Sequence, residues 1–359
     1  MTNDVVRILS VAIARKASDI HLSVGRPPIL RVNGELCDLP DAPALDAESC
    51  REMVYSFLSE AQRARLEEDL ELDCSFAVLG LGRFRANVLY QRGSVECALR
   101  AVPSVVPTPE SLGLGPGAMS LADLPRGLVL VTGPTGAGKS TTLACLIERI
   151  NATTRRHVLT IEDPIEFIYP RRQALIRQRE VGSDTKSFAQ ALRHALREDP
   201  DVILIGEMRD LETISLALTA AETGHLCLST LHTLDSVQSI NRIIDVFPSH
   251  QQAQVRVQLA GALKGVISQT LLPRREGTGR IAARELMLVN AAVANLIREA
   301  KTHMITTTIE TSGALGMFTL DRSQAALVQR GLVSFEDALA RAQDPERLAA
   351  TCRRVGAAL

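Results

Sequence analysis

Eight consecutive residues, Gly133-Pro134-Thr135-Gly136-Ala137-Gly138-Lys139-Ser140, fit the spacing G-x-x-x-x-G-K-[ST], and Thr141 follows them. These residue types in this order hold polyphosphate. The glycines let backbone N–H groups turn inward around an anion, and a helix starting directly behind the loop directs its positive end at the same point. Lys139 supplies a mobile positive charge for the β- and γ-phosphates, and the Ser140 hydroxyl is a ligand for Mg²⁺. The flanks suit the motif, because the apolar run GLVLVT (127–132) precedes it and the helical run TTLACLIERI (141–150) follows. The chain is expected to bind a nucleoside triphosphate.

Hydrolysis needs acids as well. The run VILIGEMRD ends an apolar strand on Glu207, where a carboxylate can reach Mg²⁺ through water or hold the attacking water. A carboxylate there is expensive unless it is functional or paired, and Arg209 is the obvious surface partner in the bland alternative. A second acidic group, Glu162-Asp163-Pro164-Ile165-Glu166, follows the strand-like run HVLTI (157–161), at the end of a parallel strand where such sheets bind ligands. One of these carboxylates can take a proton from water; the alternative is an ordinary acidic loop. His225 and His232 bracket the run LCLST (226–230). In extended chain they stand about 23 Å apart, so a shared metal is not expected. Each is either a satisfied, partly buried histidine or a sensor of the γ-phosphate.

These residues need a scaffold that brings strand ends together. The runs at 127–132, 157–161, 202–206 and 226–230 are continuously apolar and alternate with helical segments, which implies a parallel sheet covered on both faces. Helical patterns dominate from about 248 onward, including 290–300 and 334–342, where Ser334 and Asp337 have capping-box spacing. Ahead of the loop, residues 103–117 concentrate four prolines and three glycines and read as a linker. Residues 1–102 read as a separate α+β domain. In it, 4–17 place Val5, Val6, Leu9, Ala12 and Ile13 on one helix face, Asn33-Gly34 forms a hairpin turn, and 72–102 give three strands broken at Gly80–Gly82 and Arg92-Gly93.

Composition sets the outer bounds. The chain has 359 residues, with 40 Lys+Arg against 41 Asp+Glu, so bulk charge does not attract nucleic acid or an anionic membrane. Seven scattered cysteines without a C-x-x-C pair argue against a disulfide framework or a structural zinc site and fit a reducing, cytoplasmic compartment. No uncharged stretch approaches the length of a membrane span, and MTNDVVRILS lacks a signal peptide.

In their order and spacing, GPTGAGKST (133–141), LTIEDPIEF (159–167), ILIGEMRD (203–210) and TAAETGHLCLSTLHT (219–233) resemble the secretion and pilus traffic ATPases, and most of all their PilT-type twitching-motility retraction branch. So do ASDIHLSVGRPPILRVNGEL (17–36), VGSDTKSFAQALRHALREDPD (181–201), VFPSHQQAQVR (246–256), ISQTLLPR (267–274) and ANLIREAKTH (294–303). The resemblance covers nearly the whole chain. It implies an α/β architecture: an N-terminal PAS-like domain (1–102), a linker (103–120), and a RecA-like ATPase domain with a C-terminal helical part (121–359). It further implies ATP and Mg²⁺ as cofactors and a homohexamer docked on an inner-membrane pilus platform protein. Glu166 would be the catalytic base, Glu207 the Walker B acid and Mg²⁺ site with Ser140, and His225 and His232 the couplers of nucleotide state to ring geometry. Arg83, Arg85 and Arg100 are the candidates for N-terminal arginines that reach the nucleotide, against their reading as solvent-facing charges on an amphipathic sheet.

The chain also departs from the pattern. It begins almost at the PAS-like domain and lacks the four-cysteine subdomain of extension and type II secretion relatives, which favours retraction. Ala137 stands where Ser is common, at a position that contributes mainly backbone. Ala294 stands where a basic residue is usual in the box that supports retraction, which keeps open an accessory role beside a paralogous retraction ATPase. A pilus-extension or secretion ATPase, and a nucleotide-gated subunit that turns ATP over feebly, are the competing readings. A nucleic-acid translocase lacks the basic tracts it needs.

Overall fold

The computed structural model describes residues 1–32, 34–39 and 42–356. They form two compact units, Met1–Val105 and Val106–Leu359.

The first unit is built on an antiparallel six-stranded sheet of β1 (Asp19–Leu22), β2 (Ile29–Val32), β3 (Glu35–Asp38), β4 (Glu71–Val78), β5 (Gly82–Gln91) and β6 (Ser94–Val102), ordered β3-β2-β1-β6-β5-β4. Its strands alternate. On β5, Phe84, Ala86 and Val88 enter a core shared with α1 (Asn3–Ala14), α2 (Ala47–Tyr55) and α3 (Glu60–Asp69), while Arg83, Arg85 and Asn87 point to the other face. Asp46 caps α2, and Ser59 with Gln62 forms a capping box on α3. β2 and β3 pair as a hairpin, with Gly34 at φ +91° in the turn; Asn33 lies outside the described residues. On α1 the buried face is Val5, Ile8, Leu9 and Ala12. Val6 is only half-buried and Ile13 is exposed, because the stripe follows i, i+3, i+4, i+7 from Val5.

The second unit carries a seven-stranded sheet, ordered β13-β12-β7-β11-β10-β8-β9. Its strands are β7 (Gly127–Thr132), β8 (His157–Glu162), β9 (Leu175–Glu180), β10 (Val202–Ile205), β11 (Leu226–Leu231), β12 (Leu263–Pro273) and β13 (Arg280–Leu288). All neighbours run parallel except β12 and β13. The segment expected as a linker is largely ordered. Two one-turn helices, α4 (Pro109–Leu112) and α5 (Pro116–Met119), bury Leu114, Ala118 and Met119 against the sheet core, each started by the proline that suits a first helical turn. Then α6 (Lys139–Thr153) lies on that face, whereas α7 (Phe188–Ala195), α8 (Leu211–Glu222), α9 (Ser236–Asp245) and α10 (Ser249–Ala262) pack on the other. α11 (Ala291–Arg298) and α12 (Ile305–Thr311) extend that second layer, and α13 (Leu320–Gln329), α14 (Phe335–Leu339) and α15 (Pro345–Val355) close over the β12–β13 hairpin.

Helices α10 to α15 dominate from 248 onward as expected, but that hairpin interrupts them. The run GVISQTLL hid a strand because Ser268 and Gln269 interrupt its apolar pattern, and both are buried. No helix among the described residues is long and apolar enough to cross a membrane.

Candidate active site at the carboxyl edge of the parallel sheet

β7 ends at Thr132 opposite Leu231 of β11, and Ile205 of β10 stands between Ser229 and Ile161. The carboxyl ends of four parallel strands thus meet at one edge, where sheets of this kind bind ligands. From β7 the chain enters the glycine loop and then α6. Gly133 takes φ +145° with the backbone so close that an added Cβ would lie 2.2 Å from the Gln269 carbonyl oxygen, so only glycine fits. Gly136 and Gly138 also have positive φ, and Gly138 caps α6. Pro134, Thr135, Gly136 and Ser140 are exposed at the loop rim; Ala137 is buried beneath it and Thr141 is half-buried.

Lys139 is only 9% exposed, and its ammonium donates to the carbonyls of Gly133 (2.9 Å) and Pro134 (3.1 Å). Burial depresses its pKa, opposed by the negative charge of Glu207 at the end of β10. Glu207 Oε1 lies 2.7 Å from Arg209 Nε and 3.2 Å from His232 Nε2. Burial raises its pKa, but the Arg209 hydrogen bond and the His232 charge outweigh that and leave it below the usual range. Glu207 is therefore an ionised carboxylate at neutral pH, close enough for its charge to act on the loop lysine. Its pair with Arg209 is made, yet Arg209 is largely exposed, and His232 enters from the end of the neighbouring strand.

The acidic loop after β8 divides its labour. Glu162, 7% exposed, accepts from Thr160 Oγ1 (2.8 Å), Gln178 Nε2 (3.2 Å) and the Glu166 N–H (3.2 Å), and burial raises its pKa. Buried Glu180 accepts from the Ile165 N–H (3.0 Å). Both carboxylates hold the loop, which carries Asp163 exposed and Glu166 half-buried. His225 is elsewhere. It precedes β11, its Nδ1 lies 3.0 Å from the Ala220 carbonyl, and its own carbonyl accepts from Gly127 at the start of β7. A six-residue strand of roughly 20 Å separates it from the loop edge.

Three residues that sequence reasoning missed support the loop from below: Gln269 on β12, Thr142 on α6 and Arg284 on β13. Thr142 Oγ1 donates to Gln269 Oε1 (2.8 Å), and Gln269 Nε2 donates to the Ala137 carbonyl (2.6 Å). The one sequence signal was a polar pair inside an apolar run. Beside them opens a cleft of about 850 Å³, lined by Ala137, Gly138 and Thr141 on one side and Leu112, Leu114 and Phe318 on another. In the first unit, Arg31, Asp19, Arg100, Arg85 and Ser75 form one cross-strand row, with Arg83 on the same face. Arg100 pairs with Asp19 (2.6 Å), and Arg83 Nη2 donates to Ser75 Oγ (2.5 Å).

A strand, a glycine loop and a helix, with a carboxylate ending a nearby parallel strand, make the second unit a RecA-like P-loop nucleotide hydrolase. The chain belongs to the type II/IV secretion system protein family, whose model matches residues 1–340. The type IV pilus retraction ATPase PilT of Pseudomonas aeruginosa is 49% identical over 343 residues, covering 96% of this chain and 99% of that protein. A twitching motility protein of Neisseria gonorrhoeae is 47% identical over 321 residues, covering 89% and 86%. A crystal structure of the pilus retraction motor PilT with bound ADP superposes with a TM-score of 0.89 at 49% identity, covering 96% of this chain and 98% of that one. The chain is an ATPase of this family.

Proposed function

We propose that this ATPase is a type IV pilus retraction motor, a homohexamer that converts Mg²⁺-dependent ATP hydrolysis into work on an inner-membrane platform protein. The observation that carries the reading is Lys139 held in the glycine loop within electrostatic reach of ionised Glu207, in a chain matched over 96% of its length by a retraction ATPase. The triphosphate would lie in the loop from Gly133 to Thr141, with the nucleoside in the adjoining cleft, whose volume suits one.

The donor set fits Mg²⁺. Ser140 and Glu207 offer hard oxygen ligands, and no cluster of three or more ligating side chains exists among the described residues, so most ligands would be phosphate and water oxygens. When bound, the ion neutralises charge on the β- and γ-phosphates. Glu207 would orient the ion's water shell, Glu166 would take the proton of the attacking water, and His232, already beside Glu207, would report γ-phosphate occupancy. The arginine row is the candidate source of a guanidinium for the γ-phosphate. His225, at the far end of β11, would act outside its own chain's phosphate site.

Turnover measured per protomer across a wide range of protein concentrations tests this. Specific activity should rise steeply and saturate as the ring assembles. Activity independent of concentration in a protein that sizes as a monomer would refute the ring. Ala294, on α11, favours a second reading as an accessory retraction subunit, and ATP binding without turnover would select it.

A further inference from the structure

The loop's carbonyls and the cleft beside it are tied to one buried amide. Gln269 is 2% exposed and its side chain is engaged at both ends: Nε2 donates to the Ala137 carbonyl at 2.6 Å, while Oε1 accepts from Thr142 Oγ1 at 2.8 Å and from Arg284 Nε at 3.4 Å. The partners fix which way the amide faces, since Arg284 can only donate and the Ala137 carbonyl can only accept. In a trans peptide the C=O and the next N–H point in opposite directions. Pinning the Ala137 oxygen toward β12 therefore turns the Gly138 N–H away from β12, where an anion in the loop can accept it. The Gln269 main chain adds a second restraint, because its carbonyl occupies the space a side chain at Gly133 would need.

Arg284 carries the connection onward. It is 7% exposed, and its Nη1 donates to the carbonyls of Leu112 (2.7 Å) and Gly113 (3.5 Å), the orphan acceptors at the end of α4. Burial pushes its pKa down to about 10, so it stays charged, and no carboxylate among the described residues forms an ion pair with it. One guanidinium thus joins the α4 wall of the cleft to the amide that shapes the glycine loop.

We infer that Gln269 and Arg284 are positioning residues that couple occupancy of the cleft to the shape of the phosphate loop. Gln269 presents the Gly138 N–H, and Arg284 transmits the position of Leu112 and Gly113 to Gln269. Closing the cleft over a nucleoside draws the α4 wall and the loop into one arrangement, and phosphate binding favours the same arrangement in return. The inference rests on the nucleotide reading of the cleft.

The test uses the full chain and four variants, Gln269→Glu, Arg284→Met, Arg284→Lys and the double variant that combines Gln269→Glu with Arg284→Met. Gln269→Glu keeps an acceptor for Thr142 and Arg284 but sets a carboxylate oxygen against the Ala137 carbonyl. ADP affinity, thermal midpoint and hydrogen exchange of the 133–143 amides without nucleotide are read for each. Gln269→Glu should weaken ADP about tenfold and speed loop exchange by a similar factor. Arg284→Met should weaken ADP about fivefold, with Arg284→Lys recovering part of the loss, and the double variant should be no worse than Gln269→Glu. Unchanged affinity and loop exchange in folded Gln269→Glu would overturn the clamp. Additive losses in the double variant would overturn the coupling. If the wild type binds no ADP, the nucleotide reading fails instead, and loop exchange still decides whether Gln269 shapes the loop.

Discussion

Along β5 of the first unit, apolar residues alternate with Arg83, Arg85 and Asn87, so one face of that sheet is core and the other is polar surface. Along β7, β10 and β11 of the second unit every residue is buried, because helices cover both faces. The consequence for chemistry is direct. An antiparallel sheet with a polar face can offer a row of charges side by side, here Arg31, Asp19, Arg100 and Arg85. A doubly covered parallel sheet can offer functional groups only where its strands end, and Gly133–Ser140, Glu166, Glu207 and His232 all follow such ends.

The contrast predicts that the strongest effects come from the strand ends. Lys139→Ala removes the one cation buried in the glycine loop and should lower ATP turnover about a thousandfold or more. Substantial turnover in that variant would move the chemistry away from the carboxyl edge. Glu207→Gln should come next, with turnover down about a hundredfold while ADP still binds, because charge is lost but shape is kept. If its rate matched wild type, Glu166 alone would have to handle the water.

What the sequence revealed and what it hid follow the same division. The glycine loop is contiguous, so its eight positions were readable in order, and the strand before it and the helix after it were fixed by local pattern. The strands of 71–102 were readable because Gly80, Gly82 and Arg92-Gly93 punctuate an alternating run. The support beneath the loop was not readable: Gln269 lies 132 residues from Ala137, and nothing local marks that pairing. Glu162 looked like one of three equivalent acids until Gln178, on the neighbouring strand β9, was seen to hold it. The two histidines were separable in principle, since one precedes β11 and the other follows it, and only the following end belongs to the ligand edge.

The smallest expected structural effect sits on the polar face, and for that reason it gives the cleanest test of the arginine row. Arg100 is 64% exposed, so its pair with Asp19 should contribute under about 1 kcal/mol, and Arg100→Ala should shift the melting point of the whole chain by only a few degrees. Burial acts to raise the Asp19 pKa, but hydrogen bonds from Ser18 and Arg100 bring it below 3.8. A depressed carboxyl stabilises the fold above its unfolded pKa, and that contribution disappears as pH falls through the folded value. The stability difference between wild type and Arg100→Ala should therefore be constant near neutrality, begin to shrink below about pH 4, and vanish only once the pH is under the depressed Asp19 value. Against so small a structural background, a tenfold fall in ATP turnover at neutral pH would mean that the guanidinium reaches the nucleotide. Turnover equal to wild type in Arg100→Ala, and again in Arg83→Ala and Arg85→Ala, would leave these arginines as structural charges on the polar face and confine all catalysis to the strand ends.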